Sequence, residues 1–120
     1  MDILIVDDSR AMRMIVKKTL RDAGFDGHEY HEAEDGAQGL ERVKELNPDL
    51  ILSDWNMPNM NGIDFLRALK EEGIGTSFGF ITTEATTEMR DMATDAGASF
   101  LISKPFTVES FEETLQDYIK

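Results

Sequence analysis

The chain has 120 residues, no cysteine and a formal net charge of −12, from 24 acidic and 12 basic residues. The length suits one domain, and the lack of cysteine excludes a disulfide framework, a thiolate nucleophile and a cysteine-based zinc site. The negative charge opposes direct binding to nucleic acid, because that binding depends on neutralising phosphates, and no apolar run is long enough to insert into a membrane.

Five candidate strand segments, four of them mostly apolar, alternate along the chain with five segments of helical periodicity. Strands are predicted at residues 3–6, 28–33, 50–53, 78–82 and 99–103. Continuous apolar runs are typical of strands that are buried on both faces of a sheet, whereas residues 28–33 are the most polar segment and suit an edge position. Residues 50–53 form the predicted central strand, since they lead directly into Asp54 and a loop that Pro58 requires.

Helix boundaries are indicated by capping residues. Ser9, Asp35 and Thr107 are predicted to cap three helices, with Gln38 completing a capping box at Asp35. The buried stripe of the first helix is predicted to consist of Met12, Ile15, Val16, Leu20 and Ala23, and its basic residues are predicted to face elsewhere. The corresponding stripe of the second helix is predicted to consist of Ala37, Leu40, Val43 and Leu46.

The alternation of strands and helices indicates a parallel sheet with helices on both faces. Right-handed crossovers then restrict the fold to a doubly wound (βα)5 sandwich of the α/β class. No internal repeat, low-complexity tract or linker divides the sequence. We therefore expect one domain over residues 1–120. Because the chain lacks cysteine and a signal region, we also expect a cytoplasmic location.

Charged or hydroxyl side chains follow four of the five predicted strands, at Asp7 and Asp8, Asp54, Thr82 and Lys104. Parallel strands align their carboxyl ends along one edge of a sheet, so these side chains should converge. Each residue taken alone has an ordinary alternative, as a helix cap, a β-branched strand end or a solvated lysine. Their combination predicts a functional site.

Three carboxylates held close together repel one another, by about 4 kcal/mol per pair at about 4 Å and an effective dielectric constant of about 20. Either their pKa values rise or a cation binds among them. Oxygen ligands without cysteine or clustered histidine favour a hard ion, here Mg²⁺. His28 and His31 lie on the predicted edge strand, away from these acids, and are expected to be surface residues.

The same side chains suit a phosphoryl group. A cation and Lys104 would neutralise charge on the phosphoryl oxygens, and the Thr82 hydroxyl would donate a hydrogen bond to one of them. Asp54 is the central carboxylate, and an ionised carboxylate needs no general base to act as a nucleophile. Asp54 is therefore the predicted phosphoacceptor.

These residues also resemble the signature of the response-regulator receiver domain, in order and in spacing. The matching motifs are Asp7-Asp8, Asp54-x-x-x-Pro58, Thr82-x-Glu84-Ala85 and Lys104-Pro105-Phe106-Thr107. The chain is most similar to the single-domain chemotaxis members of that family. The resemblance implies the strand order 2-1-3-4-5 and phosphoryl transfer from a phosphohistidine of a sensor histidine kinase. It also implies a downstream protein target such as the flagellar motor switch, and a phosphatase as a further partner.

The resemblance also implies roles for individual residues. Mg²⁺ would be bound by Asp8, Asp54 and the backbone carbonyl of Asn56, with Asp7 acting through water. The side chains of Asn56 and Glu84 would tune how fast water removes the phosphoryl group. The domain would then be a phosphoacceptor switch that assists its own phosphorylation and dephosphorylation, not an enzyme.

Two positions depart from the family pattern. The family commonly has Tyr or Phe three residues before the lysine, whereas this chain has Leu101. Phe100 cannot replace that ring, because adjacent strand residues face opposite sides of a sheet. Thr83 either narrows access to the site or is a neutral surface hydroxyl. We expect intact phosphorylation chemistry, a different coupling to output, and a cis Lys104–Pro105 peptide bond, which the family implies.

Other interpretations stay open at this point. The chain is either a complete switch or the receiver domain of a larger regulator. A metal-dependent phosphatase with an aspartyl intermediate would usually have Asp-x-Asp after the first strand and an inserted cap domain. A receiver that works without phosphorylation would be expected to lack one of the acids or the lysine. A flavodoxin-like electron carrier is excluded, because Asp7 and Asp8 present negative charge where it needs a phosphate-binding loop.

Overall fold

Within residues 1–119, which the computed structural model describes, five parallel strands alternate with five helices. The strands are β1 (Asp2–Val6), β2 (Glu29–Ala33), β3 (Leu50–Ser53), β4 (Ser77–Thr82) and β5 (Phe100–Ser103). The helices are α1 (Arg10–Asp22), α2 (Gly36–Leu46), α3 (Gly62–Glu71), α4 (Thr87–Ala96) and α5 (Val108–Leu115). The sheet order is β2-β1-β3-β4-β5, and every neighbouring pair is parallel.

The predicted fold class and strand order are therefore confirmed. The predicted end of the domain, Lys120, lies outside the described residues. In the part of the chain that is described, each helix falls short of the length and apolar character that crossing a membrane requires.

Strand side chains alternate between two apolar layers, one on each face of the sheet. The layer under α2, α3 and α4 takes its strand residues from Leu4, Val6, Ile51, Phe78 and Phe80. The layer under α1 and α5 takes them from Ile3, Ile5, Leu50, Leu52, Ile81 and Ile102. Because β1 and β3 are covered on both faces, their carboxyl ends lie at the centre of the sheet edge.

The predicted inner stripe of α1 is wrong at two positions. Ile15 is 48% exposed, whereas Arg13 is only 7% exposed. The buried residues Arg13, Val16 and Leu20 have the spacing i, i+3, i+7 and therefore share one face of the helix, about 130° away from Ile15. The arginine that hydrophobicity assigned to solvent thus lies inside the fold.

The predicted stripe of α2 is also shifted. Ala37 is exposed, while Gly36, Gly39 and Val43 are buried. A Cβ atom at Gly39 would lie 2.9 Å from the Phe65 ring, so the missing side chain lets α2 pack closely on α3. Hydrophobic periodicity overlooked these positions because glycine carries no apolar signal.

The predicted caps are present, with one difference. The side chains of Ser9 and Thr107 cap α1 and α5, and Asp35 accepts a hydrogen bond from the Gln38 N–H at the start of α2. The Gln38 side chain, however, accepts from the N–H of Glu34 at 3.2 Å. The reciprocal bond of the predicted capping box is therefore displaced by one residue.

Candidate functional site

Three carboxylates meet where β1 and β3 end. One oxygen each from Asp7, Asp8 and Asp54 lie within 4.8 Å of one another. The Asp54 N–H extends the ladder by donating to the carbonyl of Val6 at 2.8 Å, which holds the two strand ends side by side. Asp7 is buried and Asp8 is exposed, while the side chain of Asp54 is 15% exposed. The cluster therefore has one open side, at Asp8.

Lys104 points into this acid cluster. Its Nζ lies 3.2 Å from Asp7 Oδ2 and 3.5 Å from Asp54 Oδ2, and its side chain is 11% exposed. The Lys104 N–H donates to the carbonyl of Thr82 at 2.8 Å, and the Lys104–Pro105 peptide bond is cis. The alternative of an ordinary solvated lysine does not hold.

The ionised form of the Asp54 carboxyl is disfavoured by its surroundings. Burial raises the pKa of the Asp54 carboxyl above its ordinary value, and the nearby carboxylate of Asp7 adds to the rise. The Lys104 ammonium lowers the pKa, as does the Trp55 N–H, which donates to Asp54 Oδ1 at 2.7 Å, but neither cancels the effect of burial. An added cation beside Asp54 would relieve this unfavourable charge.

Thr82 ends β4 and is fully buried. Its Oγ1 accepts a hydrogen bond from the Glu84 N–H at 3.1 Å, and the hydroxyl proton remains available to donate. Asn56 Nδ2 donates to Glu84 Oε1 at 2.9 Å, so the β3–α3 and β4–α4 loops are linked by two exposed side chains. Thr83 is exposed between Thr82 and Glu84.

The β3–α3 loop, which contains Asn56, is fixed at its far end by contacts that the sequence did not reveal. Asp35 Oδ2 accepts from Asn59 Nδ2 at 2.8 Å, and the Gly36 N–H donates to the carbonyl of Met60 at 2.9 Å. A Cβ atom at Gly62 would lie 2.2 Å from the carbonyl oxygen of Asp54, so this position requires glycine. The sequence signal at this position was only the Asn61–Gly62 dipeptide, which is typical of a turn.

Arg13 is a second residue that sequence reasoning missed. Its Nη1 donates to the carbonyl oxygen of Asp7 at 2.6 Å, and its Nε donates to Glu32 Oε1 at 2.9 Å. The signal that could have found it is the i, i+3, i+7 spacing with Val16 and Leu20, which places the arginine on the sheet side of α1.

The histidines lie away from the acid cluster, at β2, as predicted. His31 is not an ordinary surface residue, however, because its side chain is only 18% exposed and its Nε2 lies 3.0 Å from Asp2 Oδ1. His28 is half-buried and its Nδ1 lies 3.1 Å from the amino group of Met1. The polar composition of residues 28–33 predicted an edge strand but did not indicate these contacts.

The two positions before Ile102 pack on opposite faces of the sheet, as the sequence predicts. Leu101 packs against the apolar layer under α4. The Phe100 ring lies over Gly79 of β4, where an added Cβ atom would come within 2.1 Å of it, and stacks on Tyr118 with ring centroids 4.9 Å apart. Phe100 is thus committed to the layer under α5 and does not compensate for the leucine.

The donor set fits a divalent hard cation. Its three side chains offer only oxygen atoms, one of them reaches solvent, and burial, which raises the pKa of Asp54, leaves that carboxylate poorly solvated. Trp55 follows Asp54, but its indole is buried in the apolar core, with its ring centroid 4.7 Å from that of Phe80.

A doubly wound (βα)5 sandwich with three acids, a threonine and a lysine at the strand ends is the architecture of response-regulator receivers. The response regulator receiver domain family matches residues 3–116 of this chain. The chain therefore belongs to that family.

Chemotaxis proteins are among the proteins to which this chain is similar. CheY-3 of Vibrio cholerae is 44% identical over 117 residues, which cover 96% of this chain and 88% of CheY-3. CheY of Pseudomonas aeruginosa is 40% identical over 118 residues, covering 97% and 94%. The solved structure of CheY4 of Vibrio cholerae superposes with a TM-score of 0.86 at 35% identity and covers 98% of both chains.

Proposed function

We propose that this chain is a two-component response regulator in which Asp54 accepts a phosphoryl group from a phosphohistidine of a sensor histidine kinase. Phosphorylation would switch a protein-binding surface, and the similarity to CheY proteins supports a role in chemotaxis. The observation that carries the proposal is the position of Lys104 Nζ, against both Asp7 and Asp54 in a cluster of three acids. The predicted cytoplasmic location stays a prediction.

Asp54 acts as the nucleophile. A carboxylate oxygen forms a bond to phosphorus as the phosphorus–nitrogen bond of the donor breaks, and the imidazole nitrogen keeps the electron pair and takes a proton from solvent. Burial raises the pKa of Asp54, so the attacking carboxylate oxygen is poorly solvated, and the negative charge that the phosphoryl group brings must be met by the cation, Lys104 and Thr82. The Trp55 N–H holds Oδ1 and so fixes the plane of the carboxylate.

Mg²⁺, held by Asp8, Asp54 and the carbonyl of Asn56, with Asp7 through water, would supply neutralisation of charge on the phosphoryl oxygens. The protein itself would supply two hydrogen-bond donors to the phosphoryl oxygens, Lys104 and Thr82. Lys104 would exchange one of its two carboxylate contacts for a phosphoryl oxygen, and the buried Thr82 hydroxyl would donate to another.

Asn56, Thr83 and Glu84 would control the lifetime of the phosphorylated form. Asn56 and Glu84 are exposed, bind each other at 2.9 Å, and belong to the loops that follow Asp54 and Thr82, so they are the proposed side chains that water would pass to reach the phosphoryl group. Thr83 is exposed beside them. In this role the domain assists its own phosphorylation and dephosphorylation, and a phosphatase partner would act at the same opening.

The output would be a contact with a downstream protein, such as the flagellar motor switch. We infer that the surface of α4, β5 and α5 responds through contacts different from those of relatives with an aromatic residue three positions before the lysine. Leu101 has a smaller side chain and no hydroxyl, and Phe100 is held over Gly79. Movement of Thr82 toward the phosphoryl group would therefore be accommodated by repacking of Leu101 against α4.

The test is phosphorylation by a small donor. Incubation with acetyl phosphate and Mg²⁺ should add one phosphoryl mass to the intact protein, because the nucleophile and the phosphoryl donors belong to this chain. Asp54→Asn should abolish the addition, whereas the matched control Asp2→Asn, in β1 but outside this cluster, should retain it. Mass added equally to Asp54→Asn would assign the acceptor to another residue.

A further inference from the structure

Each polar atom of Asp7, the residue before Asp8, has a partner in the fold. The Asp7 N–H donates to the carbonyl of Ala33 at 3.1 Å. Asp7 Oδ1 accepts from the Ser9 N–H at 2.9 Å, and Oδ2 lies 3.2 Å from Lys104 Nζ. The remaining polar atom of Asp7, its carbonyl oxygen, accepts the 2.6 Å hydrogen bond from Arg13.

The bond from Arg13 acts on Asp8 through the peptide group. That group is planar, so fixing the carbonyl oxygen of Asp7 also fixes the orientation in which the chain enters Asp8. Asp8 itself is exposed. The peptide that Arg13 holds is therefore the fixed backbone from which the Asp8 side chain extends.

The charge of Arg13 is compensated away from the acid cluster. Its Nε binds Glu32, whose other oxygen accepts from Lys17 Nζ at 2.7 Å. The hydrogen bond from Lys17 lowers the pKa of Glu32, and the hydrogen bond from Arg13 lowers it further, so Glu32 is held in its charged form. A buried arginine without such a partner would be strongly unfavourable.

We propose that Arg13 is a positioning residue, which orients the Asp7–Asp8 peptide for binding of a divalent cation. This inference rests on the proposed function, since it concerns the same cation site. The expected effect of removing Arg13 on the affinity for the cation is then opposite to the effect expected from its charge alone. Removing a positive charge near a cation site should tighten cation binding, whereas removing a positioning group should weaken it.

The experiment measures Mg²⁺ binding by calorimetry for the wild-type chain, Arg13→Gln and Lys17→Gln. Both variants lose one positive charge that contacts Glu32, but only Arg13 contacts Asp7. We expect Arg13→Gln to raise the Kd for Mg²⁺ about tenfold. We expect Lys17→Gln to leave the Kd unchanged or slightly lower. Equal or tighter Mg²⁺ binding by Arg13→Gln would overturn the proposal.

A second measurement separates positioning from a general loss of stability. Mg²⁺ that binds the folded chain raises its Tm, by an amount that depends on the Kd. A merely structural role for Arg13 would lower the Tm equally with and without Mg²⁺, and this result would also overturn the proposal. The positioning role predicts that the rise in Tm caused by Mg²⁺ shrinks in Arg13→Gln.

Arg13→Lys serves as a further variant, should the glutamine variant fail to fold. Lysine keeps the charge but lacks the forked geometry that reaches both the Asp7 carbonyl and Glu32. We expect its Kd for Mg²⁺ to be raised as well, and a wild-type Kd in a folded Arg13→Lys would contradict the proposal.

The same titrations distinguish failure of the cation site from failure of the role of Arg13. If the wild-type chain itself binds no Mg²⁺, the proposed cation site is wrong. If the wild type binds Mg²⁺ and all variants bind it alike, only the role of Arg13 is wrong.

Discussion

The two ends of the sheet each carry three side chains that could hold a metal ion, and the two clusters differ in how they are built. At the carboxyl ends of the strands lie Asp7, Asp8 and Asp54, and at the opposite end lie Asp2, Glu29 and His31. In both clusters the ligand atoms lie within 4.8 Å of one another. Proximity of carboxylates therefore does not by itself distinguish a candidate functional site.

The surroundings of the acids distinguish the two clusters. The side chain of Asp2 is 43% exposed and already lies 3.0 Å from the His31 imidazole, and Glu29 is exposed. Such a pair contributes little and creates no strong field. In the other cluster, burial raises the pKa of Asp54 and a nearly buried lysine lies among the acids. The two clusters therefore differ in burial and in the lysine that lies among the acids, and both features belong to the proposed phosphorylation site.

The largest predicted difference between the two clusters is in Mg²⁺ affinity. Asp8→Asn should raise the Kd for Mg²⁺ about 100-fold, because one carboxylate charge is lost at the proposed ligand position. Glu29→Gln removes the same charge from the other cluster and should leave the Kd unchanged. Calorimetric titration measures both values. Equal losses in the two variants would mean that the cation is attracted by the overall charge of −12 and not by a defined site.

A smaller effect is expected on stability and its pH dependence in the absence of metal. Because the pKa of Asp54 is raised in the folded chain, ionised Asp54 destabilises the fold at neutral pH. Asp54→Asn should therefore raise the Tm at pH 7, by about 4 °C for a change of about 1 kcal/mol. The gain should vanish below the ordinary pKa of aspartate, about 3.9, where Asp54 is protonated in both the folded and the unfolded chain.

The control for this prediction comes from the other cluster. Asp2→Asn removes a carboxylate that is more exposed and paired with His31, so it should give no gain in Tm at pH 7. Thermal unfolding in the presence of a chelator at pH 7 and pH 3.5 measures the effect. A lower Tm for Asp54→Asn at pH 7 would show that the attraction of Lys104 exceeds the cost of burial.

Much of this architecture can be predicted from the sequence, because the strands and their end residues are local signals. The apolar runs before Asp7, Asp54 and Lys104 predicted the strands of the sheet. Because parallel strands align their carboxyl ends at one edge, they also predicted that these three side chains lie close together. The residue that holds the Asp7 carbonyl, Arg13, could not be predicted in the same way. Arg13 was assigned to solvent because hydrophobic periodicity scores arginine as polar, whatever its hydrogen-bond partners are.

Contacts between loops, and close contacts at glycine residues, could not be predicted from the sequence either. The bond between Asp35 and Asn59 joins residues 24 positions apart, and nothing local indicates it. The close approach of Gly62 to the Asp54 carbonyl requires glycine, but a glycine after asparagine is equally typical of any turn. Both contacts depend on how α2 and α3 pack, which is a property of the assembled fold.

The smallest predicted effect is in the cluster of Asp2, Glu29 and His31. His31→Gln should change the free energy of unfolding by less than about 1 kcal/mol, because its partner Asp2 is 43% exposed and a contact to so exposed a carboxylate contributes little. It should leave Mg²⁺ binding and phosphorylation by acetyl phosphate unchanged, since His31 lies at β2, away from the acid cluster. Chemical denaturation and the same mass assay measure both. A large loss of phosphorylation in a folded His31→Gln would show that the two ends of the sheet are energetically coupled, and would contradict the distinction drawn from burial.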